Sequence, residues 1–251
     1  MRVVAVALVC LAFALPGCLK DLGIGGSDAP GPVDYVSAKK YDKWVIEMDF
    51  VEGQEPPADA LTYLEARLEE VVNKPGGVEL RRGETLARHG GSWSQKDVLD
   101  TAGRTRDIHT GGDTVVLHLL FLDGQYATAN VLGVAFSPGP IAIFSEVIKD
   151  AACPPPLGLC VNEAAIWRAV LVHEFGHAMG LVNHGIPMIH PREASECNGA
   201  PDRGHSNNQN SVMYCAVETV SVATVFRNGP PTTFDADDKA DLCALGGKCP
   251  G

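Results

Sequence analysis

His173-Glu174-Phe175-Gly176-His177 places two imidazoles four residues apart with a carboxylate between them. On a helix, positions i and i+4 share a face, so both rings can reach one metal ion. Glu174 stands beside that face, where it can accept a proton from a water activated at the metal. The chemistry this spacing points to is hydrolysis at zinc. Five residues alone form a moderately specific pattern, so the flanking sequence must support it.

It does. Asn162 can cap a helix, Glu163 falls in its first turn, and residues 164–179 hold no proline and one glycine. Ile166, Val170, His173 and His177 run down one stripe at spacings of four, three and four. A core helix that happens to carry two satisfied histidines is the bland alternative. It fits less well, because two imidazoles and an acid on an apolar buried stripe are costly unless paired or bound to metal.

Gly180 extends the run to His-Glu-x-x-His-x-x-Gly, and here the chain resembles the metzincin zinc peptidases, whose helix turns at that glycine to bring in a third ligand. The family pattern puts histidine three residues after the glycine. That position is Asn183, and His184 lies one place late. Farther on, His205-Ser206 followed by Val212-Met213-Tyr214 resembles the matrixin segment from the third zinc histidine to the Met-turn, with the methionine eight residues after the histidine. The resemblance implies a matrixin-like Zn2+ site of His173, His177 and His205, with Glu174 as general base and residues 181–204 inserted before the third ligand. His184 is the alternative third ligand and His190 a more distant one.

The same resemblance makes Met213 an apolar floor beneath the imidazoles rather than a ligand. It offers Tyr214 for the specificity pocket or the oxyanion, with ordinary packing an equal reading. Residues 235–242 resemble the opening of the matrixin C-terminal helix, although acidic residues suit any helix N-terminus through the dipole. A structural Ca2+ is compatible with the family, but no residue pattern calls for one. The matrixin cysteine switch resembles Cys197-Asn198-Gly199-Ala200-Pro201-Asp202, yet that switch precedes the catalytic domain, so a disulfide or turn is the favoured reading for Cys197.

The first eighteen residues read as an address. Arg2 gives a positive start, residues 3–15 are an apolar run too short to span a bilayer comfortably, and Leu15-Pro16-Gly17-Cys18 ends it. That end resembles a bacterial lipobox, with Pro16 departing from the usual small residue; a plain secretory signal is the alternative. The lipobox reading makes 1–17 a signal peptide and Cys18 the lipidated N-terminus of an exported, membrane-anchored protein. Residues 18–42, rich in Gly, Pro, Ser and Asp, read as a flexible tether. Residues 43–251 then suffice for one domain with a sizeable core. No inhibitory pro-segment of useful size fits between 19 and 42, so latency is expected from another protein or not at all.

A formal charge of −11 argues against nucleic acid as a partner and against an electrostatic grip on anionic lipid; a protein or peptide substrate is what the metzincin resemblance implies. Six cysteines follow Cys18, an even number that in an exported chain points to three disulfides among fifteen possible pairings. Cys153 with Cys160 and Cys243 with Cys249 bracket short loops, which leaves Cys197 with Cys215.

Pattern places strands over 43–51, 78–82, 114–122, 130–136 and 141–148, and helices over 57–72 and 235–245 beside the zinc helix. This order resembles a metzincin catalytic domain, an α+β fold with a twisted mixed sheet packed on helices, an active-site helix and a smaller C-terminal subdomain. The resemblance makes 130–136 the antiparallel edge that pairs with substrate backbone. The function implied is a zinc-dependent endopeptidase. The rival reading is an inactive, zinc-stabilised surface lipoprotein that binds peptides or partners, with His184 or His190 closing the fourth position of a structural site. A gluzincin arrangement is poorer, because Glu193, Glu196 and Glu218 lie in loop-like sequence rather than on a second helix.

Overall fold

The computed structural model describes residues 29–153, 162–197, 199–226 and 228–250. The signal sequence, Cys18 and Cys160 lie outside the described residues. In chain order the elements are α1 (Pro32–Val36), β1 (Lys43–Val51), α2 (Ala58–Val71), β2 (Val78–Leu86), β3 (Ser92–Trp93), α3 (Gln95–Thr105), β4 (Thr114–Leu122), β5 (Gln125–Tyr126), β6 (Gly133–Ala135) and β7 (Ile141–Phe144). There follow α4 (Ser145–Ala152), α5 (Glu163–Ala178), β8 (Glu196–Cys197), β9 (Ala200–Pro201), a one-turn 3-10 helix (Cys215–Glu218), α6 (Val222–Val225) and α7 (Ala236–Leu245).

Five strands form the central sheet in the order β2-β1-β4-β7-β6. All neighbours pair in parallel except β6, which runs antiparallel to β7 at the edge. β4 is a nearly continuous run of aliphatic and β-branched residues because it lies in the middle of this sheet, covered on both faces. Leu117, Leu119 and Phe121 enter one core with α2 and α5, while Leu120 and Leu122 enter the other with α3. The connection from β1 to β2 moves one way across the sheet and that from β2 to β4 moves back. Right-handed crossovers in opposite directions put α2 and α3 on opposite faces.

The fold therefore departs from the α+β expectation: the sheet is mixed, but it is mainly parallel and interleaved with helices, an α/β arrangement. Residues 141–148 are not one strand. The strand ends at Phe144, and α4 begins at Ser145, burying Ser145, Ile148, Ala151 and Ala152 at helical spacing. β2 continues to Leu86 because it pairs with β1 past a bulge between Met48 and Phe50. Helix α3 had a legible start, since Ser94 accepts from the Asp97 amide and Asp97 returns a bond to the Ser94 amide.

The segment read as a tether is folded from its middle onward. Tyr35, Val36 and Tyr41 are buried, and the Lys74 ammonium donates to the carbonyls of Asp34, Ser37 and Tyr41 at 2.6, 2.7 and 2.6 Å. One buried cation thus closes the last turn of α1 and the loop into β1, a long-range partner invisible in local composition. No helix among the described residues is long and apolar enough to cross a membrane.

Lys74→Met should keep the aliphatic packing while leaving three carbonyls without their donor. At about 1–3 kcal/mol per unsatisfied group, partly relieved by relaxation, a loss of about 3 kcal/mol is expected. For a domain of this size that corresponds to a melting temperature lower by roughly 6–12 °C, measured by circular dichroism. A shift below about 2 °C would remove Lys74 from the fold's essential contacts.

Candidate metal centre

Helix α5 carries the first three site residues. Asn162 caps it, its side chain accepting from the Ala165 amide at 3.2 Å. From Ala169 to Ala178 every residue is buried, so the expected apolar stripe is in fact a helix enclosed on all sides. Within that enclosure His173 and Glu174 are 0 % exposed and His177 4 %.

Gly180 ends the helix with φ +85°, and the Leu181 amide returns to the Gly176 carbonyl at 3.0 Å. A side chain at 180 would also strike Pro32, at 2.8 Å from its Cγ. The chain then turns through Val182 and Asn183, both at positive φ. Glu193 clamps the following loop, accepting from Asn183 Nδ2 at 3.0 Å and from the Gly204 amide at 2.9 Å. Gly204 is required there, since a Cβ would lie 2.0 Å from the His184 ring.

His205 follows at once and is held on both sides. Its carbonyl accepts from the Ala194 amide at 2.7 Å, and the Ser206 amide donates to Met213 O at 2.8 Å. Its Nδ1 donates to the Asp202 carboxylate, 3.0 Å from either oxygen. His173 Nδ1 donates to Val212 O at 2.7 Å. These anchors fix the tautomers and turn both Nε2 atoms inward. His177 Nε2 lies 3.0 Å from His173 Nε2 and 3.3 Å from His205 Nε2. Tetrahedral zinc with Zn–N bonds of ~2.0–2.1 Å requires nitrogens about 3.3–3.4 Å apart, so the three imidazoles fit that ion. Burial, then the neighbouring imidazoles, hold His177 well below the usual histidine range, in the neutral form a ligand needs.

Met213 lies under this group. It is fully buried, and a Cβ on Gly176 would come within 2.2 Å of its sulfur, so a glycine on the zinc helix is what admits the methionine. The turn is bolted from α7: Ser211 Oγ donates to Asp238 at 2.7 Å and accepts from the Met213 amide at 2.9 Å. Asp238 and Asp241 also bind the buried Arg192, at 2.9 and 2.7 Å. The acidic opening of α7 therefore does more than suit a helix dipole. Tyr214 stacks edge-on with Phe226, ring centroids 6.0 Å apart, the packed reading of that residue.

The other histidine candidates fall away from the donor set. His190 is exposed and donates to Asp237 at 2.8 Å. His184 packs its ring against His177, centroids 4.4 Å apart, without joining the converging nitrogens. The fourth donor is a residue the sequence reading set aside, Glu218. One carboxylate oxygen is 3.3 Å from His205 Nε2 and the other 3.6 Å from His173 Nε2, and all four donors lie within 4.8 Å of one another. Burial alone would lower the His205 pKa; the Glu218 charge and the bonds from Asp202 and Glu218 outweigh it and push it up to about 10. In return the histidines hold Glu218 below the usual carboxylate range, against the effect of burial.

Glu174 projects beside this group, packed on the edge strand. A Cβ on Gly133 of β6 would meet its Cγ and Oε1 at 2.8 Å. Neither carboxylate oxygen makes a hydrogen bond of good geometry among the described residues, although the Ala135 backbone lies close enough to favour the charged form slightly. Burial, and then the charge of Glu218, raise its pKa well above the usual range.

The disulfides Cys197–Cys215 and Cys243–Cys249 are formed, with Cα atoms 6.0 and 4.8 Å apart. Cys197 is therefore no thiolate ligand. Cys153 is disulfide-bonded as well.

No protein-family model and no curated protein matches the chain. Among solved structures, the crystal structure of archaemetzincin from Methanopyrus kandleri aligns with a TM-score of 0.48 at 18% identity, over 81% of this chain and 96% of that one.

The donor geometry separates the histidines by consequence. His205→Ala should lose tight zinc retention on dialysis, because it removes an inward-facing nitrogen. His184→Ala should keep full zinc stoichiometry, with affinity reduced by no more than the ~10–100-fold expected of a residue that packs against a ligand. Zinc retained in the first variant and lost in the second would reverse the assignment.

Proposed function

We propose that this chain is a zinc-dependent endopeptidase acting on proteins or peptides outside the cytoplasm, tethered to a membrane through a lipidated Cys18. The catalytic part is supported by one arrangement above all. Three imidazole Nε2 atoms converge beside the buried Glu174 carboxyl, which is packed on Gly133 and stays outside the donor set. A purely structural metal site has no need of a carboxyl group buried beside it that does not ligate.

His173, His177 and His205 would hold zinc, which when bound would supply Lewis acidity toward a water and the scissile carbonyl. Glu174 is placed beside these imidazoles to take a proton from an attacking water and return it to the leaving amine. Gly133 holds the carboxylate against β6, the antiparallel edge of the sheet. An extended peptide added along that edge brings its backbone past Glu174. Asp202 and Val212 keep two imidazoles oriented throughout.

The second reading, a zinc-stabilised lipoprotein without activity, is favoured by Glu218, which supplies the fourth donor of a closed site. Glu174→Ala separates the two. On an unstructured protein substrate it should retain zinc and fold but lose ~10²–10⁴-fold in rate. Activity within tenfold of wild type would end the general-base assignment.

The tether is supported by the lipobox-like Leu15-Pro16-Gly17-Cys18. Cys18→Ser should move the protein from the membrane fraction to the soluble one, or leave it unprocessed. Recovery of the wild type wholly soluble, with an unmodified N-terminus elsewhere, would reject the anchor.

A further inference from the structure

Glu218 does two things at once. Its carboxylate reaches the Nε2 atoms of His205 and His173, and its backbone lies against the strand that leads into β6. The Leu132 amide donates to Glu218 O at 2.8 Å, the Val220 amide donates to Asn130 O at 3.1 Å, and Val131 and Thr219 form an antiparallel bridge between these bonds. Residues 218–220 thus run along the edge as an added strand would, with a carboxylate projecting onto the metal donors.

We propose that Glu218 is a displaceable fourth ligand of the metal centre, and that residues 218–220 occupy part of the path of an extended peptide, so that the chain holds its own cleft closed. The peptide-binding part rests on the peptidase reading above. The segment is short: Val217 and Val222 at its two ends are fully buried in the main core, while residues 218–221 between them are only partly buried. It follows a single 3-10 turn, and the Glu218 side chain is 22 % exposed where His173 is 0 % and His205 4 %. The histidines are fixed through Nδ1 or enclosed in α5, whereas the carboxylate rests against those same imidazoles. Upstream, Cys215 is pinned to Cys197, so movement is confined to the chain beyond it.

Opening breaks the carboxylate's contact and two backbone hydrogen bonds; no proton or electron is transferred. A peptide strand remakes the backbone bonds, which makes substrate the natural competitor for the segment. Glu174, packed on Gly133 on the side of β6, keeps its place in both states. The closed arrangement that favours a structural site thereby becomes the resting state of an active one.

The test uses the full chain loaded with cobalt(II) in place of zinc, with acetohydroxamate as a small bidentate probe of the open position, read by visible absorption. Glu218→Gln should bind the probe at least about tenfold more tightly than wild type, because the closed population no longer reduces apparent affinity. It should also lose zinc at least about tenfold more readily to a competing chelator. Glu218→Ala, which offers no donor, must move both readouts the same way, and circular dichroism confirms that either variant is folded. Unchanged zinc retention overturns the ligand, and unchanged probe affinity overturns the closure. Casein cleavage measured in parallel should rise in Glu218→Gln above wild type. If both metal readouts move but no form of the protein cleaves casein, the displaceable ligand stands and the peptidase reading falls.

Discussion

Two buried imidazole nitrogens held 3.0 and 3.3 Å from a third are the constraint on which the rest of the molecule depends. Nitrogens brought this close in a medium of low dielectric must be kept in place by their surroundings. That requirement explains the enclosure of α5, the hydrogen bonds on the far nitrogens of His173 and His205, and the glycine at 176 that lets a methionine press from below.

Rigidity is supplied from far along the chain. Arg192 sits almost fully buried between Asp238 and Asp241, and Asp238 passes the constraint to Ser211 and so to the Met213 amide. Removing one member of such a network strands a buried charge, so the parts hold or fail together. Helix α7 is in this sense a component of the metal centre, although it contributes no ligand.

What could be read from the sequence follows from the range of the forces involved. β1, β4 and α5 were legible almost to the residue because periodicity and capping are local. His205 was legible because the eight residues to Met213 are also local, joined by the Ser206–Met213 pairing. Glu218 is not legible as a donor, since nothing near it in sequence shows that its loop lies along residues 130–132. The same reason hid the partners of Lys74, and with them the folding of residues 32–41 into the domain. Gly133 gave no signal either, because its importance is the room it leaves for a carboxylate from another element.

Asp202 and Glu218 act on opposite sides of one ring, the first at Nδ1 of His205 and the second near its Nε2. Asp202 lies five residues beyond Cys197, and Glu218 three beyond Cys215, so both stand just past the two ends of a single sulfur–sulfur bond. That bond joins the two stretches from which a carboxylate approaches each side of the imidazole, so one covalent link serves both approaches, and an oxidising compartment suits a site arranged in this way.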